Sequence, residues 1–319
     1  MNPHQPVAAR GLTTNDVAAL AWRDAWRLQA RNHPWMTGGL GLALLAVAWL
    51  LASGIRQGLS GGGEPLRLAV LGGLAGFGAT AVGALAGVTL RRLSQRAEDS
   101  LLGFAAGMML AASSFSLILP GLAAAREMTG SGPQAALTVV GGMALGVLLM
   151  LGLDRFTPHE HDSTGPCGPG CERIGRVWLF VLAITLHNLP EGMAIGVSFA
   201  QGDMNVGLPL TSAIAIQDIP EGLAVVMALR AAGIGSWPAV LMAGASGLME
   251  PLGSLFGAGI AGGLALAYPV GLGLAAGAMI FVVSHEVIPE THRNGHQTTA
   301  TLGLMAGFAV MMFLDTAMG

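Results

Sequence analysis

Charge is what this chain lacks. It has 15 basic and 18 acidic residues among 319, so 10% of its positions are charged, against about 25% in soluble domains. Length alone would allow two water-soluble domains, but a surface so poor in charge would not keep them dissolved. Lysine is missing altogether, every one of the 15 basic residues being Arg. A strict three-residue glycine period is also missing, which excludes a collagen-like chain. The 49 glycines do not signal disorder either, because apolar residues dominate the segments that carry them. What is present is hydrophobicity, at 53% of residues and a mean hydropathy of +0.63. These values describe an all-α polytopic membrane protein.

A bilayer core needs about 20 apolar residues per helix. On that length the sequence predicts spans near 38–55, 68–90, 100–124, 134–156, 177–200, 206–229, 238–259, 266–290 and 298–317. Connections are short and leave no room for a separate soluble domain. Small residues such as Gly72, Gly73, Gly76 and Gly83 stud the spans and let membrane helices approach closely. Transmembrane strands would alternate apolar and polar residues over about ten positions, and these segments do not.

The arginines set an orientation. Arg10, Arg23, Arg27, Arg31, Arg91, Arg92, Arg96, Arg155, Arg173, Arg176, Arg230 and Arg293 fall on the side of the N-terminus, and Arg56, Arg67 and Arg126 on the other. That bias places the N-terminus in the cytoplasm and the C-terminus outside. The first 37 residues are not a cleaved signal, since the apolar run begins late and lasts a full span. Trp22 and Trp26, one turn apart among Arg23, Arg27 and Arg31, suit an amphipathic helix lying on the inner membrane face; a partly ordered tail is the alternative. The cytoplasmic loop 157–176 holds His159, His161, Cys167 and Cys171. A reducing cytosol argues against a disulfide there. Four soft ligands make either a Zn²⁺-catching loop or an incidental polar stretch, the C-x3-C spacing matching no standard zinc knuckle.

Acids stand where none is expected. Between Arg176 and Arg293 the only basic residue is Arg230, yet the same stretch holds Glu191, Asp203, Asp218, Glu221, Glu250, Glu286 and Glu290. Asp203 falls in a loop and Glu290 at a helix end, where water solvates them. At about 1.5 Å of rise per residue, His187 lies roughly 16 Å in from Arg176. Glu191, Asp218, Glu221 and Glu250 reach the same level. Four carboxylates there would cost about 10–14 kcal/mol if additive, with no Arg at that depth to neutralise them. Protons or bound cations must do so, and two divalent ions would match the charge.

His187-Asn188-Leu189-Pro190-Glu191-Gly192 recurs thirty residues later as Gln217-Asp218-Ile219-Pro220-Glu221-Gly222. Residues three and four apart share a helix face, so each pair of polar side chains sits over its glutamate. Each proline is expected to open its helix, and discontinuous helices at the midplane mark a transporter's substrate site. Imidazole, carboxylate and amide together suit Zn²⁺, and also Cd²⁺, Fe²⁺ or Mn²⁺. Met109 either adds a thioether or fills a packing gap.

These paired H-N-x-P-E-G and Q-D-x-P-E-G helices resemble those of the ZIP (Zrt-, Irt-like) metal-ion transporters. G-x-M-E-P around Glu250 and S-H-E-x-x-P-E around His285 and Glu286 are similar to the bacterial branch of that family. The resemblance covers about 66–319, an eight-helix core to which the span at 38–55 is an N-terminal addition. It implies two metal ions per subunit. One would be held by His187, Glu191, Gln217 and Glu221 with Met109 nearby, the other by Asn188, Glu191, Asp218, Glu221 and Glu250, both glutamates bridging. It also implies a homodimer in the bacterial inner membrane that moves metal into the cytoplasm by sliding a transport bundle against a scaffold.

Further residues suggest a path. His285, Glu286, Asp154, His159 and His161 lead toward the cytoplasm, while Asp315 and Ser116 stand at the outer entrance; the alternative for each is an ordinary interfacial polar residue. Pro120 and Pro289 shape helices. Two other classes compete with an importer. A membrane-embedded metallohydrolase is invited by His285-Glu286, but H-E-x-x-H needs His where the chain has Pro289. A metal-gated receptor or proton-coupled carrier would use the carboxylates as relays. No nucleic-acid partner is expected.

Overall fold

In lipid, backbone polar groups find partners only within the chain itself, so long apolar runs become helices. The computed structural model describes residues 22–58, 63–89, 94–156, 159–161, 165–167, 176–231, 233–262 and 265–318. Arg10, Arg91, Arg92, Arg173 and Cys171 lie outside the described residues. The helices run α1 (Trp22–Asn32), α2 (Pro34–Gly58), α3 (Glu64–Thr89), α4 (Gln95–Ala112), α5 (Leu119–Thr129) and α6 (Gly132–Phe156). They continue as α7 (Arg176–Phe199), α8 (Met204–Ala231), α9 (Ser236–Ser246), α10 (Met249–Ala261), α11 (Ala267–Val282), α12 (Ile288–His292) and α13 (Gln297–Met318). Among the described residues, seven single or joined helices are long and apolar enough to cross a membrane. Helices α2 and α7 add 25 and 24 residues. The chain is an all-α polytopic membrane protein.

Glycines decide which helices pair. A methyl group on Gly103 or Gly107 of α4 would strike the backbone of Ala300 or Leu304 on α13, and one on Gly303 or Gly307 would strike Ser100 or Phe104 in return. The same reciprocity joins α6 to α11 through Gly142, Gly146, Gly273 and Gly277, and α7 to α10 through Gly192, Gly196, Gly253 and Gly257. Gly83 and Gly222 join α3 to α8. Backbones touch, and dispersion between them replaces the hydrophobic drive that lipid cannot supply. The main apolar core, with Met108, Met109, Ile195, Leu210, Ile214 and Met279, fills the space between these pairs. Helix α2 lies against α6 and α10, its Ala43, Val47 and Leu50 packing with Leu149 and Ile260.

Three features depart from regular spans. The expected helix over 238–259 is broken at Gly247–Leu248. Pro251 has no N–H for the Gly247 carbonyl four residues back, which instead takes the Glu250 N–H at 3.0 Å. Glu250 therefore sits in the first turn of α10, where the helix dipole favours an anion. Conversely, α7 and α8 run unbroken through Pro190 and Pro220, so the expected openings there reduce to one missing backbone bond each. Finally, π-helical turns at Ser113–Ile118 and Val283–Val287 precede Pro120 and Pro289, with Leu119 N–H reaching back to Ser114 O and Ile288 N–H to Val283 O. A π turn widens the helix by one residue and re-aims Ser116, His285 and Glu286.

The N-terminal segment is helical over α1, and Gln29 Nε2 donates to the Arg155 carbonyl at the end of α6 (3.0 Å). Part of the loop 157–176 is a two-stranded hairpin, His159–His161 with Gly165–Cys167, in which His159 opposes Cys167.

Candidate metal centre

The two repeated motifs meet. On α7, His187 Nε2 stands 3.8 Å from Glu221 Oε1 of α8, and its Nδ1 3.8 Å from Glu286 Oε2 in the second π turn. His187, Glu191 and Glu221 each present a ligand atom, all within 4.8 Å of one another. Gln217 Nε2 donates to Glu191 Oε1 at 2.5 Å, which ties the motifs across 26 residues of sequence. The spacing that put His187 and Gln217 over their glutamates on separate helices thus also brings the helices face to face.

Around this triad lies a group of oxygens that the protein leaves bare. Glu191, Gln217 and Glu250 are 0% exposed, Asp218 1% and Asn188 2%. Yet Asn188 Oδ1, Glu191 Oε2, Gln217 Oε1, Asp218 Oδ2 and Glu250 Oε2 have no hydrogen-bond partner. A buried polar atom left unpaired costs about 1–3 kcal/mol, and these five are all lone-pair donors suited to a cation. Glu250 Oε2 and Asp218 Oδ2 both border Gly76 on α3, and Thr80 of the same helix donates to Glu250 Oε1 at 2.7 Å. Arg230, the one basic residue between Arg176 and Arg293, donates to the Gly87 carbonyl at 2.7 Å. It lies nine residues beyond Glu221, about 14 Å along α8.

Other expected site residues fall into separate places. Met109 is buried in the main apolar cluster together with Ile214, one turn before Gln217. His285 Nε2 is 4.0 Å from Asp154 Oδ1, with its ring stacked at 5.0 Å from Phe281. Asp154 is buried, and its other oxygen is 3.9 Å from Arg155 Nε. Ser116 donates to Asp315 Oδ1 at 2.6 Å. The backbone of His159 and His161 forms one strand of the hairpin, which lies against α7. Cys167 lies in the other strand, opposite His159. Thr80 and Gly76 were not visible as site residues from sequence. The only signal is their four-residue spacing on a glycine-lined helix, which reads equally as packing.

Comparison with known proteins places the sequence beside a family of transporters. A family model described as "ZIP Zinc transporter" matches residues 155–315. The chain is 67% identical over 298 residues to zinc transporter ZIPB of Bordetella bronchiseptica, covering 93% of this chain and 96% of that protein. It is 42% identical over 241 residues to zinc transporter GufA of Myxococcus xanthus, covering 76% and 95%. Zinc transporter ZIP11 of Bos taurus is 31% identical over 81% of this chain and 99% of its own length.

Proposed function

Because the chain belongs to the ZIP family of zinc transporters, we propose that the bare oxygens around His187 and Glu191 are the place where its cargo binds. It is a transporter and not an enzyme, and zinc is the transported ion. The carrying observation is five buried, unpartnered oxygens beside an imidazole, with no cationic side chain at their level among the described residues.

Two ions fit the donor set. His187, Glu191, Gln217 and Glu221 hold the first, with Met109 on its apolar side. Asn188, Asp218 and Glu250 hold the second, which shares Glu191 and Glu221. An all-oxygen Mg²⁺ or Ca²⁺ site would have no use for His187, whereas Zn²⁺ and Cd²⁺ take imidazole with carboxylate, and Fe²⁺ or Mn²⁺ less well. Ser116 and Asp315 receive the ion outside. His187, Glu286, His285 and Asp154 then form successive stations inward, ending at His159 and His161. The helix pairing supports a moving group: α7, α8 and α10 carry the ligands and α3 packs against α8 and α10, while α4, α6, α11 and α13 contribute few, so the first group slides against the second. The arginine bias supports a cytoplasmic N-terminus, and the resemblance to the bacterial members of the family implies a homodimer in a bacterial inner membrane.

The test is uptake of radiolabelled Zn²⁺ by proteoliposomes. The double variant His187→Ala/Glu221→Ala is expected to fall to background, and retained uptake would sink the reading.

A further inference from the structure

Glu250 is gripped by a helix that brings no charge to the centre. Seven of the eight residues that α3 buries are Gly or Ala (Ala69, Gly72, Gly73, Gly76, Gly83, Ala84 and Gly87), and Thr80 is the polar one among them. Threonines in helices usually turn their hydroxyl back to the carbonyl four residues earlier. Thr129, Thr138, Thr185 and Thr316 do so here at 2.8, 3.0, 2.7 and 2.7 Å. At Thr80 that bond is stretched to 3.4 Å, and the hydroxyl faces Glu250 Oε1 at 2.7 Å instead. A hydroxyl has one proton to give, and the shorter contact takes it. The Thr80 methyl is meanwhile pinned: a Cβ on Gly247, at the α9–α10 break, would lie 3.2 Å from Thr80 Cγ2. One turn away, a Cβ on Gly76 would collide with Glu250 Oε2 and stand 3.3 Å from Asp218 Oδ2.

We propose that Thr80 and Gly76 are positioning residues for the second ion, Thr80 occupying Glu250 Oε1 and Gly76 leaving the space in which Glu250 Oε2 meets Asp218 Oδ2. Of the two carboxylate oxygens, one is thereby committed to the protein and the other presented to the metal. Hydrogen bonds that orient a ligating carboxylate in this way typically change metal affinity by about 10–100-fold when removed. The geometry makes α3 a structural determinant of how many ions the centre holds. This inference rests on the two-ion reading above.

Calorimetric titration of the full-length, metal-stripped protein with Zn²⁺ tests it. Wild type is expected to bind in two steps, the second identified as the one abolished by Asp218→Asn. Thr80→Val keeps the shape and removes the donor, so the second step should weaken about 10–100-fold with the first unchanged. Thr80→Ser, which restores the hydroxyl, should recover it, and Gly76→Ala should repeat the loss by filling the space. Should Thr80→Val not yield monodisperse protein, Thr80→Ala is measured in its place. A second step unaltered in Thr80→Val, or in Thr80→Ala measured in its place, overturns the proposal. So does an equal loss in both steps accompanied by a lower melting temperature of the metal-free protein, the mark of a merely structural role. A single step in wild type would instead remove the two-ion reading, and this proposal with it.

Discussion

Gln217 Nε2 donates to Glu191 Oε1 at 2.5 Å, and that one bond leaves Glu191 Oε2 and Gln217 Oε1 bare in the buried centre. The amide has a donor end and an acceptor end, and the structure spends the donor on the neighbouring ligand. Replacing it with a side chain that lacks the donor removes both a ligand and the restraint on Glu191. Zn²⁺ uptake by Gln217→Leu is expected to show a KM raised at least about tenfold, read from initial rates in proteoliposomes. An unchanged KM would show that Gln217 neither binds nor orients.

Metal ligands must be deprotonated to bind, so binding releases protons and weakens with acid. The direction follows from the donors: His187 coordinates only when neutral, and the carboxylates only when ionised. Zn²⁺ affinity is expected to fall as pH drops from about 8 to 6, by about tenfold per unit for each proton displaced. Titrations in two buffers of different ionisation heat would count the protons released, and a count of zero contradicts the site.

On the inner side, the 4.0 Å approach of His285 to Asp154 suggests a hand-over point beyond the centre. Asp154→Asn keeps size and removes charge. Its expected signature is a lower maximal uptake rate, by about tenfold, with KM little changed, because a release station acts after capture.

At the proposed entrance, Ser116 donates to Asp315 Oδ1 at 2.6 Å. Asp315→Asn is expected to raise KM a few-fold at low ionic strength, and the difference should shrink in about 0.5 M salt, since steering by a partly exposed charge is screened. A salt-independent effect would place Asp315 in the packing instead.

The glycine seams give a stability prediction. A side chain at Gly107 would drive into the Leu304 carbonyl of α13. Gly107→Val should lower stability by about 1–3 kcal/mol or more, seen as a reduced melting temperature in detergent, whereas Gly141→Ala, with open space at its Cβ, should leave it unchanged.

Much of this protein is legible without coordinates, and the reasons are local. Lipid allows few alternatives to a helix, so apolar length alone locates the spans. A carboxylate at the midplane costs several kcal/mol, so Glu191, Asp218, Glu221 and Glu250 stand out as a candidate site by depth alone. Three- and four-residue spacing then orders His187 over Glu191 and Gln217 over Glu221. The proline rule was legible but incompletely so. The helix breaks at Gly247–Leu248, just before Pro251, while α7 and α8 run on through Pro190 and Pro220.

Contacts between distant residues were decided by the tertiary structure alone. Thr80 and Glu250 stand 170 residues apart, Ser116 and Asp315 199, and no periodicity links either pair. Which carboxylate oxygen is taken by the protein and which is left bare depends on helices packed backbone to backbone through glycine. Composition and spacing call for protons or bound cations at the centre of this membrane protein; the packing of α3 against α8 and α10 decided how its carboxylates face one another.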